Sequence, residues 1–195
     1  MKKFLMIFFS FLLLLSICSC EQNDTPEEII SVNYNTKIQE SLFKIPFNYQ
    51  LSDAMKDSGF LSVEKKDEGL AVYQIKRKDY VQYISQLGAS KKEIFDKCNT
   101  DYAPYVTSVS YNDDLTQITI AVNKADYEND SYENGSGYLK IQNCITGCIN
   151  NVALYHSFSI GDFKECEIKV TDSVTGEVLE TFYSPKALFN VNVGR

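Results

Sequence analysis

The chain has 195 residues, with 26 acidic against 19 basic side chains, a formal charge of −7 and a sequence isoelectric point near 4.8. Such a balance repels phosphate backbones, which sets nucleic-acid binding aside, and it disfavours lying flat on anionic lipid. There are 13 tyrosines, 12 phenylalanines and no tryptophan.

Lys2 and Lys3 precede an apolar run from Phe4 to Ile17 that is broken only by Ser10 and Ser16. A membrane-spanning helix needs about 20 apolar residues, so this shorter run reads as a secretory signal. The four residues that end it, Ile17, Cys18, Ser19 and Cys20, resemble the lipobox of bacterial lipoproteins: an aliphatic, a tolerant position, a small residue, then the cysteine that is lipidated. Taking Cys18 as the modified residue would put the bulky Ile17 where the peptidase needs a small side chain. Cys20 is therefore the expected lipidated N-terminus, behind a signal peptide of residues 1–19. Two acyl chains give stable anchoring where one is marginal. An ordinary cleaved signal and an uncleaved short anchor are the other readings.

Cleavage would leave 176 residues with 17 basic against 26 acidic side chains, a charge of −9. That length suits a single domain burying roughly 70% of its unfolded surface. Residues 20–28 read as a lipidated tether, since Glu21 to Glu28 are polar and interrupted by Pro26. Fully extended, eight residues reach at most about 28 Å. Residues 29–195 are then expected to form one extracytoplasmic domain, held at the outer face of the cell membrane through the lipid on Cys20.

Within that domain a strand is expected near Leu42 to Phe47, then a short helix capped by Ser52 and ended by Gly59. Phe60–Lys66 and Leu70–Lys76 read as a hairpin turning at Gly69, with Ala71, Tyr73 and Ile75 on one face. Tyr80, Tyr83, Ile84 and Leu87 form a helical stripe that Gly88 should stop. Ser90 to Glu93 is a capping-box pattern for a further helix with Ile94, Phe95 and Cys98 inward. Thr107, Val109 and Tyr111 alternate with serines, and Ile118, Ile120 and Val122 alternate likewise, which predicts a second hairpin. A polar loop leads to what should be the longest helix, about Tyr138 to Ser157, whose buried seam is Tyr138, Ile141, Ile145, Cys148, Val152 and Tyr155. A last hairpin should turn at Ser173 to Gly176. Hairpins alternating with helices predict an α+β fold: an antiparallel sheet with helices packed on one face.

The stretches Val109–Asn129 and Val170–Pro185 resemble a group of lipoproteins of Gram-positive anaerobes to which no activity is assigned. The resemblance implies an envelope location and carries no mechanism.

Four cysteines remain beyond Cys20. Cys144 and Cys148 lie one helical turn apart, while Cys98 and Cys166 fall on inward faces, so all four are expected to be buried. Buried thiols are the favoured reading, a disulfide among them is the second, and a metal the third, because a zinc or haem site would need further ligands and the one histidine is His156. His156, near a helix C-terminus, is expected to be structural and favoured as a cation by the dipole. No G-x-S-x-G, phosphate loop or dinucleotide fingerprint occurs, so no catalytic residue, cofactor or metal site is assigned. The acidic loop fails the calcium pattern, since Ser131 and Gly137 stand where glycine and glutamate are required.

What remains is a candidate binding loop of Asp126, Tyr127, Glu128, Asp130, Tyr132 and Glu133, acidic and tyrosine-bearing, of the kind that anchors protein interfaces. The expectation is a non-catalytic binding or accessory module with an envelope protein as partner. A small hydrolase of envelope glycans working through paired carboxylates is the alternative.

Overall fold

The computed structural model describes residues 27–159 and 164–185; the signal-peptide reading and Cys20 lie outside the described residues. β1 (Ile29–Asn35) buries Ile30, Val32 and Tyr34 by simple alternation. Glu27 and Glu28, expected in the tether, are already fastened to the domain. Glu27 pairs with Lys76 and Lys78, and Glu28 accepts from Arg77 Nη2 at 2.8 Å.

Asn35 caps α1 (Thr36–Phe43) by accepting the Lys37 N–H at 3.1 Å. The strand expected at Leu42–Phe47 does not form. Leu42 and Phe43 complete α1, and Lys44, at φ 58°, closes it with its N–H on the Glu40 carbonyl. α2 (Asp53–Asp57) starts at Ser52, whose hydroxyl accepts from Met55 N–H, and is followed by Gly59 at φ 90°. β2 (Phe60–Asp67) and β3 (Leu70–Lys76) form the expected hairpin through Gly69 at φ 83°.

α3 (Arg77–Asp101) is one uninterrupted helix of 25 residues, not two. Gly88 lies inside it and is buried, and a Cβ placed there would sit 3.3 Å from Cε2 of Tyr155. The glycine serves a close helix–helix approach rather than a stop. On its C-terminal half Phe95 and Cys98 are buried as expected, whereas Ile94 is exposed.

β4 (Val106–Tyr111) and β5 (Gln117–Val122) follow as a hairpin, then α4 (Lys124–Glu128), α5 (Gly137–His156), the two-residue β6 (Phe158–Ser159), and the hairpin of β7 (Cys166–Asp172) with β8 (Val178–Ser184). The seam expected for α5 is buried at Ile141, Ile145, Cys148 and Val152, whereas Tyr138 and Tyr155 at its two ends are only half-buried. α5 starts where Ser136 Oγ accepts from Leu139 N–H at 3.2 Å.

The fold is α+β, but its strands form two sheets rather than one. The first has the order β2-β3-β1-β6 and is antiparallel; the second has the order β4-β5-β7-β8. In the second, β5 and β7 run parallel, from Gln117 beside Glu167 to Val122 beside Asp172. Parallel neighbours need a long crossover, and the connection through α4 and α5 supplies one. Each sheet has its own core. Val32, Tyr34, Phe60 and Tyr73 belong to the first; Phe95, Ile120, Ile145 and Ile168 to the second.

Candidate functional site

The densest chemistry lies where α3 meets α5. Cys144 and Cys148 are i and i+4 on α5, so their side chains stack on one face, and that face meets Cys98 from the last turns of α3. The three sulfurs all lie within 4.8 Å of one another, and each residue is at least nine-tenths buried. As a thiol, Cys98 donates to the Ile94 carbonyl at 3.4 Å. As a thiolate it accepts from both neighbouring thiols, and these two hydrogen bonds hold its pKa below the usual thiol range. The other two hold on to their own protons: hydrogen bonds to Cys144 and Cys98, reinforced by burial, push Cys148 up. Cys166, on β7, is separately buried, and desolvation pushes it up to about 12. All four thiols are free and buried, as their positions on inward faces require.

Cys98 was the member the sequence did not join to the pair, because it lies 46 residues before Cys144. The readable signal was that both helices turn their cysteines inward; which helices touch was not readable. His156 does not approach the cluster. It is 5% exposed, and its Nε2–H donates to the Leu115 carbonyl at 2.8 Å. The role is structural, but the charge expected from the helix dipole is opposed by burial, which lowers its pKa.

The candidate loop is divided by the fold. Asp126, Tyr127 and Glu128 belong to α4. Tyr127 packs half-buried against the second core and donates its hydroxyl to Glu180. Asp126 lies against Gly137, where any Cβ would collide with its carboxylate. Glu128 is 3.8 Å from Lys124. Asp130, Tyr132 and Glu133 stay exposed, and Tyr132 stands edge-on to Tyr138 with ring centroids 4.9 Å apart. Its hydroxyl also lies 3.2 Å from that of Tyr138, yet Tyr132 is 67% exposed, the most accessible of the loop's tyrosines.

Two depressions were not legible in the sequence. A shallow groove of about 450 Å³ between α3 and α5 is lined by Tyr80, Val81, Ile84, Gly88 and Tyr155, with Lys92 and Asp113 at its polar end. Lys92 and Asp113 are paired at 3.2 Å. Val81 on its rim is 61% exposed. A second, polar cavity of about 270 Å³ is lined by Asp57, Ser58, Gly59, Asp79, Gln82 and Gln86, so it gathers two carboxylates from α2 and the first turn of α3. Gly59 is required there twice: for its φ of 90°, and because a Cβ would lie 2.6 Å from Asp79 Oδ2.

Among the described residues, no helix is long and apolar enough to cross a membrane. No family model, curated protein or solved structure matches the chain.

Proposed function

We propose that the chain is a membrane-anchored extracytoplasmic lipoprotein, lipidated at Cys20, whose domain is a non-catalytic module that binds an envelope protein. The observation that carries the binding reading is the α3–α5 groove. It is mainly apolar, lined by Tyr80 and Tyr155, open to solvent, and has the Lys92–Asp113 pair among its lining. Tyrosines beside exposed apolar side chains are favoured anchors in protein interfaces. Tyr138 and Tyr155 lie 17 residues apart on α5, about 26 Å at 1.5 Å per residue. The Tyr132 loop is therefore a second, separate surface.

The anchoring is supported by the Ile17–Cys20 pattern behind a short apolar run. The test uses intact cells carrying a photo-crosslinking side chain at position 81 or 132. Position 81 should capture one envelope protein, and Tyr80→Ala should weaken that capture. Tyr127→Ala with Tyr132→Ala should leave it unchanged. Labelled fatty acid incorporated by a Cys20→Ala chain would overturn the anchoring.

One observation favours the hydrolase as a second reading: Asp57 and Asp79 line the same polar cavity. Paired carboxylates are the machinery of glycoside hydrolysis. Purified protein that cleaves envelope glycans, and loses this with Asp57→Asn or Asp79→Asn, would replace the binding reading.

A further inference from the structure

We infer that Cys98, Cys144 and Cys148 form a site for a soft monovalent d10 cation, of which Cu(I) is the representative, held by three sulfurs. The site is separate from the groove and from the expected anchor, and it stands whether or not those readings do.

Thiolate sulfur selects soft ions, Cu(I) and zinc among them. Ligand number separates those two. A closed zinc site wants four ligands, and three donors gather among the described residues. Three sulfurs suit a trigonal centre. With metal–sulfur bonds of about 2.3 Å, trigonal geometry puts the sulfurs about 4 Å apart. The sulfurs here all lie within 4.8 Å of each other, so the three are already gathered to the spacing such a centre takes. A disulfide would instead bring one pair to about 2.05 Å and leave the third sulfur unused.

Burial adds a second reason. Cys144 and Cys148 are 0% and 1% exposed, and Cys98 is 7% exposed. A thiolate in such a place is costly unless a cation accompanies it. The surrounding Phe95, Ile141 and Ile145 exclude water, which protects a soft ion from oxidation and exchange. Each sulfur that ligates as a thiolate exchanges its S–H bond for a Cu–S bond and releases that proton to solvent; one proton released per ion leaves the buried centre neutral, with no change of oxidation state.

The full chain, in detergent, reduced and kept anaerobic, is titrated with Cu(I) supplied as its acetonitrile complex against a coloured Cu(I) chelator. The wild type should retain a single equivalent, and X-ray absorption of that complex should report sulfur neighbours at about 2.3 Å in threefold coordination. Cys98→Ser, Cys144→Ser and Cys148→Ser should each lower retention at least tenfold, and Cys166→Ser should leave it intact. Because a buried serine can unfold the chain, the absorption spectrum of the wild type decides by itself: oxygen or nitrogen neighbours, or two sulfurs alone, would overturn the site. So would full retention by Cys148→Ser, or a disulfide within the trio in protein isolated from its own cells.

Discussion

Replacing His156 by Phe tests how the end of α5 holds the β4–β5 turn. The imidazole is 5% exposed, and its Nε2–H reaches the Leu115 carbonyl at 2.8 Å. Leu115 is itself fully buried and sits at φ 55°, in the left-handed region that a leucine rarely adopts. Phe fills the same space but cannot donate. The carbonyl is then left in the core without that partner, which costs about 1–3 kcal/mol. For a domain of this size, that corresponds to a fall in Tm of about 2–12 °C. His156→Gln should recover part of the loss, since its amide can donate to the same oxygen.

The same histidine makes stability depend on pH in a definite direction. Burial, the largest influence, lowers its pKa in the folded chain below the ordinary 6.5; the Leu115 hydrogen bond and Asp114 oppose this, and Lys164 adds to it. Between the folded and unfolded pKa values the unfolded chain binds the extra proton. The contribution is therefore whole above about pH 6.5 and is lost as pH falls through the folded value, at no more than about 1.4 kcal/mol per pH unit. Asp114 and Asp172, held below the carboxylate range by hydrogen bonds from Thr116 and Thr175, lose theirs only at lower pH. Urea unfolding of wild type, Phe and Gln chains from neutral to mildly acid pH separates the two effects. Wild type should lose stability relative to both variants as the medium is acidified. A constant difference across that range, or a Phe variant as stable as wild type, would refute the reasoning.

Gly88→Ala sets a helix-propensity gain of about 0.8–1 kcal/mol against a 3.3 Å contact with the edge of Tyr155, a ring that borders the open groove and can give way. Thermal unfolding should place Ala within about 1 kcal/mol of wild type on the stabilising side, and Gly88→Leu about 1–3 kcal/mol below it. Asn99→Ala removes the side-chain oxygen that accepts the Val109 N–H at 2.7 Å and ties α3 to β4; chemical denaturation should register a loss of about 1–2 kcal/mol. In the reduced, metal-free chain all four of Cys98, Cys144, Cys148 and Cys166 should resist a thiol reagent and react together once urea unfolds the domain, because each is buried.

The hairpins were legible because alternation is a local signal. Ala71, Tyr73 and Ile75 share a face, as do Ile118, Ile120 and Val122, and those faces are buried. What was not legible depends on contacts between distant segments. Gly88 carries a stop signal by propensity alone, and only the approach of Tyr155, 67 residues later, gives it another purpose. The β5–β7 parallel pair follows from the crossover through α5, and periodicity does not say which strands become neighbours. α1 is hidden in the sequence because Leu42, Phe43, Ile45 and Phe47 look like a strand, whereas the Asn35 cap decides the conformation from seven residues upstream. The candidate loop looks in sequence like one surface; the Asn123 side chain, accepting from Asp126 N–H, winds its first half into α4 and turns Tyr127 inward.

Two cores in a chain of this length raise the question of what makes them one body. α3 is the first answer. Tyr80 and Tyr83 near its start pack on the first sheet, and Phe95 and Cys98 near its end belong to the second core, so a single stiff rod is shared by both. A break at Gly88 would uncouple them, which is why a helix that continues through a glycine is worth the propensity it loses. α5 provides the second tie. Its seam fills the second core, and two residues past its end Phe158 enters the first, with its ring centroid 4.5 Å from Tyr34 and 5.3 Å from Tyr83. Among the described residues β6 pairs with β1 at Asn33 and Tyr34, and the aromatic contacts of Phe158, each worth about 0.5–1.5 kcal/mol beyond their buried area, add to that ladder. The three sulfurs sit between the same two helices. An ion bound there would join α3 to α5 directly, and through them the two sheets, so its presence should be felt in the cooperativity of the whole domain.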